Sequence, residues 1–388
     1  MFDVKAMEID QLLVKDIMSP PSLTATKSDT VSDIISKMKK NKVREIPVLE
    51  DGKPVGLVSY ASFLQRRNVP LSARVEHIMV PCPKLEEDMK LTKAAEEIMS
   101  AGVRGAPVVR NHKMVGFVSR TDIVRMLPSV DALKDRVVNA FMSTQVQTVN
   151  EDETIRKAQV LMRGLNEKTL PVVDEASILI GAVGMTEVME VMWTNKAGKP
   201  PNEIKGSDRG PAEIRVGSVM SRTPVSIRPS DTVSKAVATM MDRGLTTLFV
   251  TEPNGKLVGV VSHADLMEQV IGLKPREGVY VQLAGIEAED PEVYDTLYDL
   301  IGKAMKRIDR IEAPRVFSVH STTHNHEGMR AKHSVSGRLT TEHNMYYAHA
   351  VNWDLFKTVD ELLDQLEKNV KKEHERRVSQ KKGKSGSS

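Results

Sequence analysis

The apolar residues of the first 272 positions repeat one order of helix and strand patterns. In its first occurrence Val31, Ile34, Ile35 and Met38 share one face of a helix, because their spacing follows the 3.6-residue period. Two apolar strands, "IPVL" and "PVGLVS", come next and are joined by a turn at Asp51-Gly52. With a short strand in front and a second helix behind, the pattern predicts a β-α-β-β-α unit.

Four copies of this unit align in one register along the chain. Each copy opens at a methionine, at Met18, Met79, Met142 and Met220. A glycine interrupts the last strand of each copy, at Gly56, Gly116, Gly181 and Gly259. Internal repeats of this kind indicate one supersecondary unit used several times. A unit of about fifty residues is too small to bury both faces of its sheet alone, so we expect the copies to pair.

The last hundred residues follow a different pattern. Alternating Val279, Val281 and Leu283 predict a strand, and Asp290-Pro291 starts a helix with one apolar stripe. Three more strand patterns and a final striped helix follow, which gives the order β-α-β-β-β-α. Both helices are expected on one face of this sheet, the face that carries Phe317 and Val335.

The overall prediction is an α/β (α+β) chain whose repeats pair into two modules. Its expected segments are a lead-in at 1–13, repeats 1 to 4 at 14–70, 71–130, 131–193 and 216–272, a Gly/Pro/Lys-rich insertion at 194–215, a C-terminal domain at 273–378 and a basic tail at 379–388. The insertion is expected to be a solvated linker, with contact to a partner as the alternative, because loops of this length in compact domains are usually functional or disordered.

Composition narrows the function. The chain has 40% apolar and 28% charged residues, which is ordinary for a soluble globular protein. A single cysteine, Cys82, excludes an intramolecular disulfide and a multi-thiolate zinc site. No signal-peptide pattern or apolar run long enough to span a bilayer occurs, so we expect a cytoplasmic protein with no membrane partner. No P-loop, GxSxG or dinucleotide fingerprint occurs, so we expect no enzyme activity.

The repeat pattern resembles the CBS domain, whose repeats pair into Bateman modules. This resemblance implies a regulatory adenine nucleotide (AMP, ADP or ATP) between paired repeats, and no required cofactor. The family signature is a Gly, a hydroxyl residue three positions on, and an Asp three further. The matching residues are Gly116, Ser119 and Asp122 in repeat 2, and Gly259, Ser262 and Asp265 in repeat 4. The resemblance also implies that backbone near Ala106, Pro107 and Leu248 brackets the adenine.

The signature is degraded in the other two repeats. Repeat 1 has Ser62 in the carboxylate slot, and repeat 3 has Gly184 in the hydroxyl slot and Glu187 in the carboxylate slot. Each module should therefore hold one well-formed half-site. An alternative remains open, because Ser and Asp are also favoured helix caps that bind no ligand.

The C-terminal domain concentrates histidine and positive charge. The stretch "HSTTHNHEGMRAKHS" contains four of the ten histidines of the chain. From Lys368 to the end there are eight Lys or Arg residues and two Asp or Glu residues. This asymmetry favours a phosphate-rich partner. The candidate RNA-binding residues are His320, His324, His326, Arg330, Lys332, Arg338, Lys368, Lys371, Lys372, Arg376 and Arg377.

The order of elements and the long, partly basic last helix resemble the ribosome hibernation-promoting factor fold, over residues ~278–378. An archaeal protein that joins four CBS repeats to such a domain fits both halves. The resemblance implies a ribosome partner, with the domain on small-subunit rRNA over the mRNA and tRNA path. Whether the large subunit is contacted stays open, and no DNA partner is expected.

Two alternatives accompany this prediction. The histidines could bind zinc, since His324 and His326 point the same way on a strand, but no HExxH helix or cysteine partner supports a metal site. The protein could also be a free-standing CBS nucleotide sensor that regulates a protein partner.

Overall fold

The computed structural model describes residues 9–41, 43–59, 62, 69–144, 146–164, 169–194, 214–273, 278–286, 291–327, 330–341 and 344–385. Within these ranges it leaves the side chains of residues 10, 163–164, 189–190, 192–194, 291–292, 324–327, 330–331 and 378–385 undescribed. The chain forms two compact units, Met1–Ile271 and Gly272–Ser388. Most of the 194–215 insertion lies outside the described residues.

The first unit contains the four repeats. Repeat 1 consists of α1 (Val14–Ile17), β1 (Ala25–Thr26), α2 (Val31–Asn41), β2 (Glu45–Glu50) and β3 (Lys53–Ser59). Repeat 2 consists of β4 (Leu85–Glu86), α3 (Leu91–Ser100), β5 (Gly105–Arg110), β6 (Lys113–Ser119) and α4 (Arg120–Arg125). Repeat 3 consists of α5 (Asp131–Lys134), α6 (Ile155–Gly164), β7 (Thr169–Val173), β8 (Leu179–Gly184) and α7 (Met185–Thr194). Repeat 4 consists of β9 (Ser226–Ile227), α8 (Val233–Arg243), β10 (Thr247–Thr251), β11 (Leu257–Ser262) and α9 (His263–Gly272).

Each repeat builds a small mixed sheet in which the short first strand runs parallel to the second and the third runs antiparallel to it. Repeat 3 departs from the predicted pattern. Its first strand is reduced to a single parallel bridge between Val149 and Val172, so its sheet consists of two strands, β7 and β8. The α/β (α+β) class predicted from the sequence is confirmed.

The repeats pair through the segments that follow their opening methionines. Ser19 in repeat 1 exchanges two backbone hydrogen bonds with Phe117 in repeat 2, with N···O distances of 3.0 and 2.9 Å. Leu57 and Val80 exchange the reciprocal pair at 2.9 and 2.8 Å. Repeats 3 and 4 repeat both contacts, between Ser143 and Val260 and between Ala182 and Ser221. Repeats 1 and 2 therefore form module 1, and repeats 3 and 4 form module 2.

The repeated methionines and glycines of the sequence meet at these contacts. The side chain of Met18 lies over Gly116, and that of Met220 lies over Gly181. A Cβ atom at Gly116 would be 2.8 Å from the Met18 sulfur and 3.1 Å from the Ser19 carbonyl oxygen. Gly56 and Gly259 show the same approach to Met79 and Met142. The glycines are thus required because the partner repeat's chain passes where a side chain would be.

The two modules share one apolar core. The predicted stripe of α2 is buried, and it belongs to a single cluster with core residues of repeat 3, which include Ile155, Met162 and Val188. Because repeat 1 belongs to module 1 and repeat 3 to module 2, this cluster continues from one module into the other.

The second unit is a four-stranded sheet with two helices. Its elements are β12 (Tyr280–Ala284), α10 (Pro291–Asp309), β13 (Pro314–Glu327), β14 (Arg330–Thr341), β15 (Met345–Asn352) and α11 (Leu355–Ser385). The strand order is β12-β13-β14-β15, with the first pair parallel and the others antiparallel. Phe317 and Val335 pack with the apolar stripes of both helices, so both helices cover one face of the sheet, as predicted.

We expect Gly181→Ala to destabilise the first unit by about 1–3 kcal/mol, the usual cost of overpacking a fitted site. The added methyl carbon would lie 2.8 Å from the Met220 sulfur and 2.9 Å from the Ser221 carbonyl oxygen. Scanning calorimetry of the full chain should show a lower unfolding midpoint for this unit.

The matched control is Gly302→Ala on α10. A Cβ atom at Gly302 meets nothing within 4 Å, so this change should raise the midpoint of the second unit, since alanine favours a helix interior over glycine by about 1 kcal/mol. Equal midpoints for wild type and Gly181→Ala would contradict the close approach.

Candidate functional site

The two predicted ribose-binding carboxylates begin helices. In repeat 2 the Asp122 Oδ2 accepts hydrogen bonds from the Ser119 backbone N–H at 2.9 Å and from the Ser119 hydroxyl at 2.6 Å. The Asp122 N–H donates back to Ser119 Oγ, which completes a capping box on α4. Ser262 and Asp265 make the same bonds at the start of α9. The capping role weighed from the sequence is therefore present at both sites.

The two carboxylates differ in what else they contact. Asp265 is 2% exposed, and its second oxygen accepts a hydrogen bond from Ser143 of the paired repeat at 2.9 Å. The second oxygen of Asp122 has a longer contact of 3.5 Å with the Arg125 guanidinium. Asp122 is thus the better placed of the two to exchange a partner for a ligand hydroxyl.

The three residues expected near the adenine lie in the sheets. Ala106 and Pro107 are buried in β5, opposite Val118 and Phe117 of β6. Leu248 is fully buried in β10 opposite Val261. All three lie within two residues of the start of their strand, at Gly105 for β5 and at Thr247 for β10.

Four cationic or ionisable side chains lie close together at two positions of the repeat, just before the second strand and at the start of the last helix. Arg44 and Arg104 directly precede β2 and β5, and Arg120 and His263 are the first residues of α4 and α9. Backbone hydrogen bonds join these positions, since the Arg120 N–H donates to the Arg104 carbonyl at 2.7 Å and the His263 N–H donates to the Thr246 carbonyl at 3.0 Å. We call these four residues the junction cluster.

The junction cluster joins three repeats and both modules. Glu45 of repeat 1 accepts the Arg104 backbone N–H of repeat 2, at 3.0 Å to each carboxylate oxygen. Arg44 of repeat 1 donates to the Thr246 hydroxyl of repeat 4 at 3.2 Å. The positive charges of Arg44, Arg104 and Arg120 act directly on His263 of repeat 4.

Burial and like charge shape the electrostatics of the cluster. Burial, and after it the charges of Arg104, Arg120 and Arg44, together lower the pKa of the His263 imidazole to about 3. Burial and then the charges of Arg44 and Arg120 lower the pKa of the Arg104 guanidinium to about 10, against the opposing charge of Glu45. Burial also lowers the pKa of Arg120, while Glu45 and Glu268 oppose the change. The junction cluster thus brings three guanidinium groups close to one buried imidazole.

Two nitrogen atoms of the cluster lack a hydrogen-bond partner among the described residues. They are Nε of Arg120 and Nε2 of His263, and both are buried. Arg120 and Arg104 nevertheless keep part of their surface accessible. Buried polar groups are nearly always paired, so the buried Arg120 Nε–H donor among several guanidinium groups favours an anionic ligand.

The sequence analysis missed the junction cluster, although the repeat register contains its signal. The position that precedes the second strand is basic in three repeats, at Arg44, Arg104 and Lys168, and is Thr246 in repeat 4. The position after the hydroxyl slot holds Tyr60, Arg120, Met185 and His263 in repeats 1 to 4. Lys168 and Tyr60 lie outside the described residues.

Two surface depressions lie elsewhere on the first unit. One of about 410 Å³ is lined by charged residues that include Lys15, Glu87 and Arg110. The other, of about 260 Å³, is lined by residues of module 2 that include Thr144 and Ser177. Neither lining includes a residue of the junction cluster.

The candidate RNA-binding residues of the C-terminal domain fall on two sides of it. His320, Lys332 and Arg338 belong to β13 and β14 and are half-buried, and His320 and Arg338 lie on the sheet face opposite the helices. The side chains of His324, His326 and Arg330 lie outside the described residues. Exposed residues of α11 form the second group, and these are Lys368, Lys371, Lys372 and Arg376. Leu362, Leu366 and Val370 pack α11 against the covered face of the sheet. The basic residues of α11 therefore lie on the opposite side of the domain from His320 and Arg338, and the two groups do not form one surface.

Arg377 differs from its neighbours on α11. Although Arg377 is one of the candidate RNA-binding residues, it does not project outward with the others, because its guanidinium is paired with the buried carboxylate of Glu312. Glu312 also accepts hydrogen bonds from Thr341 and Tyr346. These bonds and the charge of Arg377 lower the Glu312 pKa, although its burial alone would raise it. Arg377 therefore anchors α11 to the sheet, and its replacement by Glu would disturb the fold.

The described residues contain neither a metal-binding group of side chains nor a membrane-spanning helix. Within them, no three His, Cys, Asp or Glu side chains are grouped in a way that could hold a metal ion. No helix among the described segments combines the length and the apolar character needed to cross a membrane.

The family model for the CBS domain matches this chain four times, at residues 14–68, 75–129, 138–194 and 216–272. These stretches cover more than half of the sequence, so the chain belongs to the CBS domain family. The four repeats predicted from the sequence are confirmed.

Two proteins of Methanocaldococcus jannaschii resemble the chain. Uncharacterized protein MJ1404 is 26% identical over 299 residues, which are 76% of this chain and 70% of that protein. Uncharacterized protein MJ1225 is 21% identical over 272 residues, which are 63% of this chain and 94% of that protein. The crystal structure of MJ1225, proposed as an archaeal homologue of g-AMPK, matches with a TM-score of 0.58 at 20% identity and covers 66% of this chain and 99% of that one. This likeness shows the shared fold.

An enzyme also shares part of the chain. The A-adding tRNA nucleotidyltransferase of Aquifex aeolicus is 25% identical over 132 residues, which are 34% of this chain but 15% of the enzyme. A match of this extent does not transfer the enzyme's activity.

We expect His263 to stay neutral between pH 5 and pH 8, because its pKa of about 3 in the folded chain lies far below the ordinary value of 6.5. The unfolded chain binds a proton at His263 as the pH falls through 6.5, whereas the folded chain does not. The first unit should therefore lose stability from this group between pH 6.5 and pH 3 and show no contribution from it above pH 6.5.

NMR of histidine-labelled protein measures the titration, with His263→Gln to assign the signal. A His263 midpoint near 6.5 would contradict the burial of its ring among arginines.

Proposed function

We propose that this protein is a regulatory sensor of adenine nucleotides whose phosphates bind at the junction cluster. The observation that carries the proposal is a pair of buried nitrogens, Arg120 Nε and His263 Nε2, for which the described residues supply no hydrogen-bond partner, next to two further arginines. Arginine presents a planar set of N–H donors that suits phosphate oxygens. A regulatory role agrees with the CBS family, and no catalytic group is required for it.

The adenine part of the ligand is supported by membership of the CBS domain family. In this proposal Asp122 binds ribose hydroxyls, and Arg104, Arg120 and Arg44 bind the phosphates. Ser119 is the N-cap directly before Arg120, and Asp122 lies two residues after Arg120 in the first turn of α4, so ribose and phosphate groups of one nucleotide can reach both Asp122 and Arg120. Asp265 has hydrogen bonds to both of its oxygens, so repeat 2 is the better candidate for the primary site.

Calorimetry of the full chain with AMP, ADP and ATP tests this function. ATP should bind more tightly than AMP, because it brings more negative charge to the cluster. Arg120→Met should weaken ATP binding ten-fold or more, since a hydrogen bond to a charged group contributes about 1.5–3 kcal/mol.

Asp122→Asn should weaken all three nucleotides alike, because it acts on the ribose. Arg243→Met, which removes an exposed arginine at the end of α8, is the matched control and should bind as the wild type does. Absence of heat with millimolar ATP would overturn the sensor function.

A second candidate function concerns the C-terminal domain. Its β-α-β-β-β-α order is the feature on which the hibernation-factor resemblance rests, and the sheet face opposite the two helices carries His320 and Arg338. Lys332 of β14 lies 5.8 Å from the ring centroid of Trp353, which is 43% exposed and could stack on a base. We therefore propose ribosomal RNA as a partner of this domain, with the nucleotide sensor as its regulator.

Co-sedimentation with small ribosomal subunits at two salt concentrations tests the second candidate. Binding should weaken with salt, with a log–log slope of about −0.7 to −0.9 per phosphate neutralised. Lys368→Glu with Lys372→Glu tests the α11 side, and Lys332→Glu with Arg338→Glu tests the sheet face.

Lys53→Glu with Lys113→Glu, two exposed changes in module 1, is the control. Loss of ribosome binding in only one of the two test pairs identifies the side of the domain that docks. If the wild-type protein stays in the supernatant at low salt, the domain does not bind the ribosome. The better function is then a nucleotide sensor that acts on a protein partner.

A further inference from the structure

The sheet face of the second unit that lies opposite α10 and α11 carries two neighbouring rows of side chains. Because Tyr346, Ala348 and Ala350 pack with the helices, the alternate residues of β15 face the other way. These form the β15 row, which continues one step beyond the strand and consists of Tyr347, His349, Val351 and Trp353. The β14 row consists of Lys332, Ser334, Ser336 and Arg338. Strand pairing sets the two rows side by side, with Ser334 directly opposite Val351.

One end of the β15 row is open to solvent. Val351 and Trp353 are each 43% exposed, and His349 is exposed as well. Apolar side chains that are exposed next to each other, with polar residues around them, are typical of a contact surface. The indole ring is the largest flat group at this end of the sheet.

Hydrogen-bond donors lie beside the exposed indole ring. The Lys332 ammonium is 5.8 Å from the centroid of the Trp353 ring, and Ser334 Oγ is 2.9 Å from His349 Nε2. A base that stacks on the ring therefore brings its ribose and phosphate next to ammonium, hydroxyl and imidazole groups. Every base has a flat π-face, so this contact requires no particular base sequence.

The charge of the two rows favours an anionic partner. Their members include two cations, Lys332 and Arg338, and no carboxylate. Two carboxylates adjoin the rows. Asp354 accepts the Lys357 N–H in the first turn of α11, where the helix dipole offsets its charge. Glu361 accepts the amide of Asn352, which belongs to the opposite parity of β15, so this carboxylate lies on the helix side.

The geometry of the rows suits an extended single strand of RNA. Alternate residues of a β-strand are about 6.8 Å apart, so successive members of the β15 row can each meet one splayed base. The bases of a duplex are stacked on each other and present no face to an indole ring. Hydroxyl and imidazole groups of the rows can bind the ribose 2′-hydroxyl, which DNA lacks.

We propose that the two rows bind a stretch of unpaired RNA, with its bases on the β15 row and its sugar–phosphate backbone along the β14 row. Trp353 provides the main stacking surface, and Lys332 and Arg338 bind phosphates. This inference rests on the proposal that the C-terminal domain binds RNA, and it specifies the form of the RNA and the side of the domain that meets it. The basic residues of α11 are not needed for this contact.

Tryptophan fluorescence of the full chain tests the stacking. The chain has two tryptophans, Trp193 and Trp353, so a Trp193→Phe background isolates the Trp353 emission. An unstructured ten-nucleotide RNA should quench this emission, because a stacked base contacts the ring. DNA of the same sequence should bind more weakly, and a blunt RNA duplex should leave the emission unchanged.

Fluorescence anisotropy of a labelled RNA measures the affinity of the variants. Trp353→Ala should weaken binding roughly ten-fold, as expected for the loss of one base–aromatic stack, and Trp353→Phe should keep most of the affinity. Lys332→Met with Arg338→Met should weaken binding and reduce its salt dependence. Lys368→Met with Lys372→Met, two exposed changes on α11, is the matched control and should bind as the wild type does.

Several outcomes would overturn the inference. Trp353→Ala that binds RNA as the wild type does, or an α11 pair that loses binding as fully as the sheet pair, places the contact elsewhere. Light scattering that shows a dimer in the wild type and a monomer in Trp353→Ala identifies a second copy of the chain as the occupant of this face.

The ribosome test and the RNA test can be separated. If the protein pellets with ribosomes while unpaired RNA leaves the Trp353 emission unchanged, the inference fails and the ribosomal function stands. If unpaired RNA quenches the emission while the protein does not pellet, the inference stands and the ribosome is not the partner.

Discussion

Reciprocal exchange between paired repeats is the interaction on which the first unit depends. The segment after each opening methionine crosses the partner repeat, exchanges two backbone hydrogen bonds there, and lays the methionine over the partner's glycine. No repeat completes its own sheet surface, because the strand that covers its glycine belongs to its partner. Four such contacts with nearly equal distances explain why the methionines and glycines occur in one register.

The same exchange determines where the chemistry of the first unit can lie. Because each repeat uses one order of strands, the start of its second strand and the start of its last helix are neighbours, joined by a backbone hydrogen bond between Arg104 and Arg120 in repeat 2. Pairing brings these ends together within a module. Contact between the modules then adds Thr246 and His263. The junction cluster is thus a consequence of repetition, since two positions of the unit are brought close together and carry different side chains in different repeats.

The C-terminal unit depends on a different constraint, the cover of one sheet face by two helices. Phe317 and Val335 bury that face against α10 and α11, and the Glu312–Arg377 pair secures the far part of α11. Charge on α11 and charge on the opposite face therefore lie on separate sides. A count of basic residues along the chain cannot show this separation, because strand parity and helix phase only become comparable when the elements are packed.

Residue spacing by itself determined the repeats, the α2 stripe, the capping pairs at Ser119 and Ser262, and the side of the C-terminal sheet that the helices cover. These features depend on local periodicity, which is a property of residues close together in the sequence. Tertiary structure alone decided that Asp265 is enclosed by Ser143, that Arg377 turns inward to Glu312, and that three arginines and His263 converge. The reason is physical, since burial and charge depend on distances between residues far apart in the chain, and each of these contacts joins residues that spacing along the sequence does not relate.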